Sequence, residues 1–419
     1  MISFIINAVK IIFLLGFLVL IHEGGHFLVA KFFGVKVNEF SIGFGKKIWF
    51  KQKGETTYAV RMVPLGGFVS MLGEEERSDD ERSFSKQSIP KRIAIVAAGG
   101  LVNIFFGLFI YFLILAFMGN FASKTVDSVV KDYGAERAGI MAGDEIVSVN
   151  GSHVFITKDV NSKLEKNGAK DVKLVVKRNG EKKEFVVTPT EVKSHSLGIY
   201  LEGEDDNRTK VSYIFDSSPV KDVLKAGDVI VAINGEVVEN DYESLVESLN
   251  KSAGEISIRY RRGDNEAEAV VTPLEVSNYY IGVVFKPADK NLGNRLYYAW
   301  FETGNFALSL ADNVKDIFTA KVSVNQMMGP IGISKTVANT STFYEFIYLM
   351  ALISLSLGVT NLLPIPALDG GKILILIIEA IRRKPMREEL EIGIQFVGFA
   401  LLILLSVYVG YLDILRFIR

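Results

Sequence analysis

The sequence predicts a polytopic α-helical membrane protein with four transmembrane helices, a β-hairpin region and a duplicated β-rich insert. Three observations predict it. Of 419 residues, 49% are hydrophobic while 23% are charged, a mixture typical of neither a soluble enzyme nor a bare bundle of membrane helices. Four stretches approach the roughly 20 apolar residues that a spanning helix needs. The long segment between the second and third of these repeats internally. The formal net charge of −1 gives no bias toward nucleic acid. With no cysteine and only four histidines, disulfides, thiolate metal sites and a cysteine nucleophile are excluded.

The first span is expected at Ile11 to Ala30, within a segment of residues 1–33, and is apolar apart from His22, Glu23 and His26. Its apolar run has no small-residue cleavage site, so it reads as a retained helix rather than a signal peptide. Residues 34–92 follow as a β region, because Phe40 to Val69 alternates apolar and polar residues around Lys53-Gly54-Glu55. A plain cytoplasmic hairpin domain is the simplest reading of that stretch. The second span, residues 93–119, is uncharged from Ile93 to Met118. Gly99 and Asn103 lie four apart on it, which ordinary small-residue helix packing explains.

In the insert, Ala142-Gly143-Asp144-Glu145-Ile146 through Asn150-Gly151 returns as Ala226-Gly227-Asp228-Val229-Ile230 through Asn234-Gly235. Thr188-Pro189 returns as Thr272-Pro273 and Leu197-Gly198-Ile199 as Ile281-Gly282-Val283, always displaced by 84 positions (227 − 143). Two copies are therefore expected, at residues 120–205 and 206–290. Each opens on a turn, alternates apolar residues and ends in Asn-Gly, a strand-and-hairpin pattern. Residues 291–342 mix aromatic and charged side chains and read as an amphipathic interfacial helix. The third span, expected within residues 343–380, is uncharged from Phe346 to Leu368 but interrupted by Pro364 and Pro366. A basic loop, residues 381–391, precedes a fourth span in residues 392–419.

Lysine and arginine cluster between spans one and two and again in Arg382-Arg383-Lys384-Pro385-Met386-Arg387, so both connectors are expected to be cytoplasmic. The insert and both termini then lie outside the cytoplasm, although the basic residues Arg416 and Arg419 run against this assignment.

His22-Glu23-Gly24-Gly25-His26 is an HExxH sequence. Residues four apart share a helix face, so both imidazoles can hold one zinc while Glu23 serves as general base. A polar packing cluster or a proton path in a transporter is the competing reading, and an ionisable group inside an apolar helix points to a function in either case. Hydrolytic zinc usually takes three protein ligands. His153 and His195 lie in the insert and cysteine is absent, so the third ligand is expected to be a buried carboxylate. Asp369, in Asn361-Leu362-Leu363-Pro364-Ile365-Pro366-Ala367-Leu368-Asp369-Gly370-Gly371, ends the third apolar stretch amid helix-breaking residues. Irregular backbone at membrane depth is tolerated only where protein or a wet cavity satisfies it.

These two motifs, 343 positions apart (369 − 26), resemble the site-2 protease family of intramembrane zinc metalloproteases. The resemblance covers nearly the whole chain and includes Phe40-Ser41-Ile42-Gly43-Phe44-Gly45, Pro64-Leu65-Gly66-Gly67-Phe68-Val69, Ala98-Gly99-Gly100-Leu101-Val102-Asn103 and Met327-Met328-Gly329-Pro330. Gly24 and Lys372 depart from the family pattern, and neither is a proposed ligand. The resemblance implies a zinc-dependent intramembrane endopeptidase of the cell (inner) membrane, its site toward the cytoplasmic side. His22, His26 and Asp369 would hold one Zn2+ and Glu23 would be catalytic. Asn361, Pro364, Pro366, Gly66 and Gly67 would lie against substrate, beside a β-hairpin region associated with the membrane. The substrates implied are single-span membrane proteins already trimmed by another protease, of the anti-sigma-factor or remnant-signal-peptide type; the partners are these and membrane lipid, with no nucleic acid. The insert's repeated motif resembles two tandem PDZ-like α+β domains, either peptide-binding or mere packing modules and filters, with Leu197-Gly198-Ile199 as the carboxylate loop of the second copy. A catalytically silent scaffold that binds transmembrane segments is the alternative function, and intact Glu23 argues against it.

Overall fold

The computed structural model describes residues 2–418 except 75, 77, 202–207, 216, 253, 319–328 and 341. The chain forms two compact units, residues 1–117 with 327–414, and residues 118–326 with 415–419. Met327 and Met328 of the Gly329-Pro330 segment lie outside the described residues.

The first unit opens with helix α1 (Ile2–Phe32), then strands β1 (Val37–Lys53) and β2 (Thr56–Met71), joined at Gly54 with φ 63°, then α2 (Ile89–Met118). The hairpin is doubled back on itself. Val37–Ile42 pairs with Gly67–Met71 on one side and, over Glu39–Ile42, with Thr57–Val60 on the other, while Lys47–Lys53 pairs with Thr56–Arg61. The bend depends on Gly43 and Gly66, at φ 84° and 98°: a Cβ on Gly43 would lie 2.5 Å from the Val63 carbonyl oxygen. Among the described residues, the Gly67–Met71 segment pairs on one side only.

The second unit begins with β3 (Ala122–Val129), α3 (Gly134–Ala138), β4 (Glu145–Val149), β5 (Ser152–His153) and α4 (Thr157–Asn167). It continues through β6 (Val172–Arg178), β7 (Glu181–Val187) and β8 (Thr190–Ser196). The order then recurs as β9 (Ile199–Leu201), β10 (Val211–Ile214), β11 (Val229–Ile233), β12 (Glu236–Val237), α5 (Tyr242–Lys251), β13 (Ile256–Arg262), β14 (Asn265–Val271), β15 (Leu274–Tyr280) and β16 (Val283–Pro287). The 84-residue period survives into side-chain chemistry. Arg178 grips buried Asp144 with two hydrogen bonds of 2.7 Å, and Arg262 grips Asp228 at 2.8 and 2.7 Å.

The two cores are interleaved along the chain. Strand β16 pairs with β3, and Ile281 is buried among Val126, Ile146 and Val187 of the first copy. Leu197 is buried among Ile230, Leu245 and Ile258 of the second, and β9 pairs with β10. The chain leaves the first copy through β8 and returns through β15, which pair with each other from Leu274–Ser196 to Tyr280–Thr190. An expected boundary between residues 205 and 206 is thus displaced: the second copy is nested inside the first, which residues 281–287 complete. A period fixes the length of a repeat but not its starting point, which is why a cut at 205 was compatible with the sequence.

Helix α6 (Leu292–Phe318) packs on the first copy. Phe155 and Phe301 stack with centroids 4.4 Å apart, Lys158 pairs with Glu302 at 2.6 Å, and the Asn305 amide donates to Asp159 at 3.1 Å. Leu292, Leu296, Trp300 and Leu308 stand exposed at multiples of four residues, the amphipathic pattern expected of this segment.

The first unit resumes with α7 (Pro330–Ala338), α8 (Phe343–Asn361), α9 (Asp369–Arg382) and α10 (Glu388–Ile418). Among the described residues, the four helices long and apolar enough to cross a membrane are α1, α2, α8 and α10. The third apolar stretch is not one helix through residue 380: α8 ends at Asn361, residues 362–368 are irregular, and the 14-residue α9 is too short to cross by itself. Pro364 and Pro366 cannot donate to a helical ladder, which accounts for the break. Glycines let the helices touch. A Cβ on Gly107 would lie 2.7 Å from the Ala351 carbonyl oxygen, and one on Gly358 would lie 2.5 Å from that of Gly100.

Candidate metal centre

The centre is assembled from one turn of α1 and the first residue of α9. His22 and His26 lie one turn apart, so their rings meet edge to face with centroids 4.8 Å apart. The chain reverses after α8 and starts α9 at Asp369. That reversal needs Gly370 and Gly371, whose added Cβ atoms would lie 2.1 Å from the Leu363 carbonyl oxygen and 2.3 Å from that of Ile365. Ala367, at φ 73°, donates its N–H to the Gln395 side chain of α10, which holds the irregular segment from outside.

Three donor atoms converge. His22 Nε2 lies 3.2 Å from His26 Nε2 and 3.3 Å from Asp369 Oδ2, and His26 Nε2 lies 3.4 Å from Asp369 Oδ2. A zinc ion bonded at its usual distances sets tetrahedral donors about 3.3–3.5 Å apart, so this triangle fits one face of a zinc tetrahedron. Two further observations agree. The buried Asp369 Oδ2 receives no hydrogen bond among the described residues. His26 Nδ1 lies 2.9 Å from the Ile95 carbonyl oxygen, which can only accept, so the hydrogen sits on Nδ1 and the Nε2 lone pair faces the other two donors.

The triangle opens on a cleft of about 180 Å3 lined by His22, Glu23, His26, Asp369 and, from the hairpin, Phe68, Val69 and Met71. Lys372 and Glu74 pair across it at 2.8 Å. The five residues expected against substrate divide. Asn361 places its Nδ2 3.4 Å from both ring nitrogens of His22. A Cβ on Gly67 would lie 3.4 Å from Glu23 Cγ, so the hairpin rests on the HExxH turn. Gly66 packs instead against the Phe44 ring, Pro366 packs against Gly398 of α10, and Pro364 is exposed.

Two residues read as helix packing prove to belong to the site. A Cβ on Gly99 would lie 2.3 Å from His26 Nε2 and 2.8 Å from His22 Cε1, so α2 offers bare backbone beneath both rings. Asn103, one turn on, is fully buried with its Nδ2 3.5 Å from His22 Nδ1. Their i, i+4 spacing matched that of the two histidines, but only the pairing of α1 with α2 turns this match into a signal.

Comparison with known proteins converges on one group. The profile of peptidase family M50 matches residues 10–405. A Vibrio cholerae protein bearing the name zinc metalloprotease is 32% identical, over 96% of this chain and 97% of its own. The regulator of sigma E protease of Haemophilus influenzae is 30% identical, over 99% of this chain and 100% of its own. A crystal structure of the HtrA3 PDZ domain with a phage-derived ligand aligns with 21% of this chain and 93% of its own, at 20% identity and a TM-score of 0.18.

Proposed function

Because this chain belongs to peptidase family M50 and is on that ground a zinc metalloprotease, we propose that it hydrolyses peptide bonds within the transmembrane segments of single-span membrane proteins. The observation that carries the reading is the triangle of His22, His26 and Asp369, with edges of 3.2–3.4 Å, two of its corners on α1, a helix apolar enough to cross a membrane, and the third at the start of α9. These three residues would hold one zinc ion. When bound, zinc supplies Lewis-acid polarisation of the scissile carbonyl and brings the pKa of water down toward neutrality.

The chain's own residues do the rest. Glu23 lines the same cleft and takes a proton from the attacking water, then delivers it to the leaving amine nitrogen. A transmembrane substrate is helical, its carbonyls occupied, so it must be unwound before attack. The one-sided Gly67–Met71 segment borders the cleft and offers unpaired backbone groups to an extended chain. Asn361 hydrogen-bonds the unwound substrate backbone. The two nested copies act as PDZ-like recognition or size filters for substrates already trimmed by another protease, of the anti-sigma-factor or remnant-signal-peptide type. The cluster of lysines and arginines between α1 and α2 supports a cytoplasmic hairpin, with the insert and both termini on the outer side of the inner membrane.

The test uses the detergent-purified full chain and its Glu23→Gln variant, each assayed for zinc by elemental analysis and for cleavage of a tagged single-span peptide. Both are expected to carry zinc, with cleavage by the wild type alone. Metal-free wild type, or cleavage that survives in the variant, overturns the reading.

A further inference from the structure

Around the metal centre, the hydrogen-bonding groups of one contact face each other with the wrong polarity. His22 turns its Nε2 toward His26 and Asp369, so its lone pair belongs on Nε2 and its hydrogen on Nδ1. Among the described residues, the side-chain groups within hydrogen-bonding distance of that Nδ1 are the amide nitrogens of Asn103, at 3.5 Å, and of Asn361, at 3.4 Å. An N–H facing an NH2 group is donor against donor. On its far side the Asn103 Oδ1 is buried and has no hydrogen-bond partner among the described residues. Amide nitrogen and oxygen have the same shape, and the hydrogen-bond network decides which is which. A half-turn of the Asn103 amide gives the orphaned oxygen a donor and His22 Nδ1–H an acceptor.

Asn361 does not fill this role in its place. Its amide nitrogen is 3.4 Å from both ring nitrogens of His22, and a group equidistant from two atoms that point apart is in line with neither. Asn103 is also the better anchored. It is fully buried, and its main-chain carbonyl accepts from the fully buried Ser354 hydroxyl of α8 at 2.8 Å. It stands one turn after Gly99, on the face of α2 that meets the two histidines.

We propose that Asn103 is the positioning residue of this centre: its side-chain carbonyl accepts the Nδ1–H of His22, fixing that imidazole's tautomer and ring plane. His26 has the main-chain carbonyl of Ile95 for the same purpose, and Asn103 supplies the counterpart for His22. The inference rests on His22, His26 and Asp369 being zinc ligands. Outer partners of ligating histidines set metal affinity by roughly 10–100-fold.

The experiment compares the full-length wild type with Asn103→Leu, Asn103→Asp and His22→Ala, each titrated with a zinc chelator and each reloaded with cobalt for its visible spectrum. Leucine keeps the volume without the acceptor, and aspartate keeps the acceptor without the donor. Asn103→Leu is expected to release zinc at about 10–100-fold lower chelator concentration with an altered cobalt spectrum, and Asn103→Asp to retain both properties of the wild type. In the zinc-loaded wild type, the ring 15N spectrum of His22 is expected to show Nδ1 protonated. Zinc retention by Asn103→Leu equal to the wild type, equal losses in the Leu and Asp variants, or an unprotonated Nδ1 overturns the assignment of Asn103. Metal-free wild type, or full zinc retention by His22→Ala, overturns the ligand set instead, so the two failures are distinguishable.

Discussion

At the scale of single residues, the centre is governed by what is missing as much as by what is present. Gly99 has no side chain where one would collide with both imidazoles. Gly99→Ala is therefore expected to lower zinc occupancy to a small fraction of the wild type and to abolish cleavage, while elemental analysis of Gly24→Ala, whose added Cβ meets nothing within 4 Å, shows full loading. The three proposed ligands could be picked out in the sequence because the chain holds four histidines and no cysteine, which leaves few ways to build a zinc site. Gly99 and Asn103 were not, since a glycine beneath an imidazole and a glycine in a helix crossing look alike in one dimension. In the insert, the two hydrogen bonds from Arg178 hold the Asp144 carboxyl below its ordinary value of 3.8. A depressed carboxylate contributes stability that is fully present above that ordinary value and is lost as pH falls through the depressed one. The melting temperature of the insert is thus expected to drop on acidification below about pH 4. Asp144→Asn should remove part of that dependence and shift the midpoint of a denaturant titration at neutral pH to lower denaturant.

At the scale of elements, the irregular segment between α8 and α9 is held by contacts that no local pattern announces. Its prolines and glycines announced a break around Asp369, but not that Gln395, 26 positions further on (395 − 369), accepts the Ala367 N–H. Gln395→Leu leaves that N–H without its acceptor, at a cost of about 1–3 kcal/mol. A lower melting temperature and weaker zinc retention in detergent are expected, and unchanged values of both would show that the segment holds itself. The repeat was legible for the opposite reason: turns and buried pairs recur at fixed spacing, down to Asp144–Arg178 and Asp228–Arg262. Its phase was not, because an 84-residue period reads the same from any starting point. A fragment of residues 120–205 lacks β16 and Ile281 and is expected to remain protease-sensitive, while residues 120–290 fold into a resistant body.

At the scale of the whole molecule, the charge that sits oddly with so apolar a composition has two addresses, the insert and the region between α1 and α2. Among the described residues, the three proposed ligands all belong to one of the two compact units. A ligand that binds the native state stabilises the unit that binds it. Chelation is therefore expected to lower the melting transition of the unit holding α1 and α9 and to stop cleavage, both restored by added zinc, while the transition of the insert stays in place. A shift of both transitions together would mean that the two units melt as one.

The nesting of the two copies sets an order of events during synthesis. β3 emerges early, but its partner β16 lies beyond the whole of the second copy. At about 5–20 residues per second, the first copy waits several seconds with its sheet edge and its place for Ile281 open. The copy that begins second is therefore the first that can finish, and the one that begins first closes around it only when the last strand of the insert arrives.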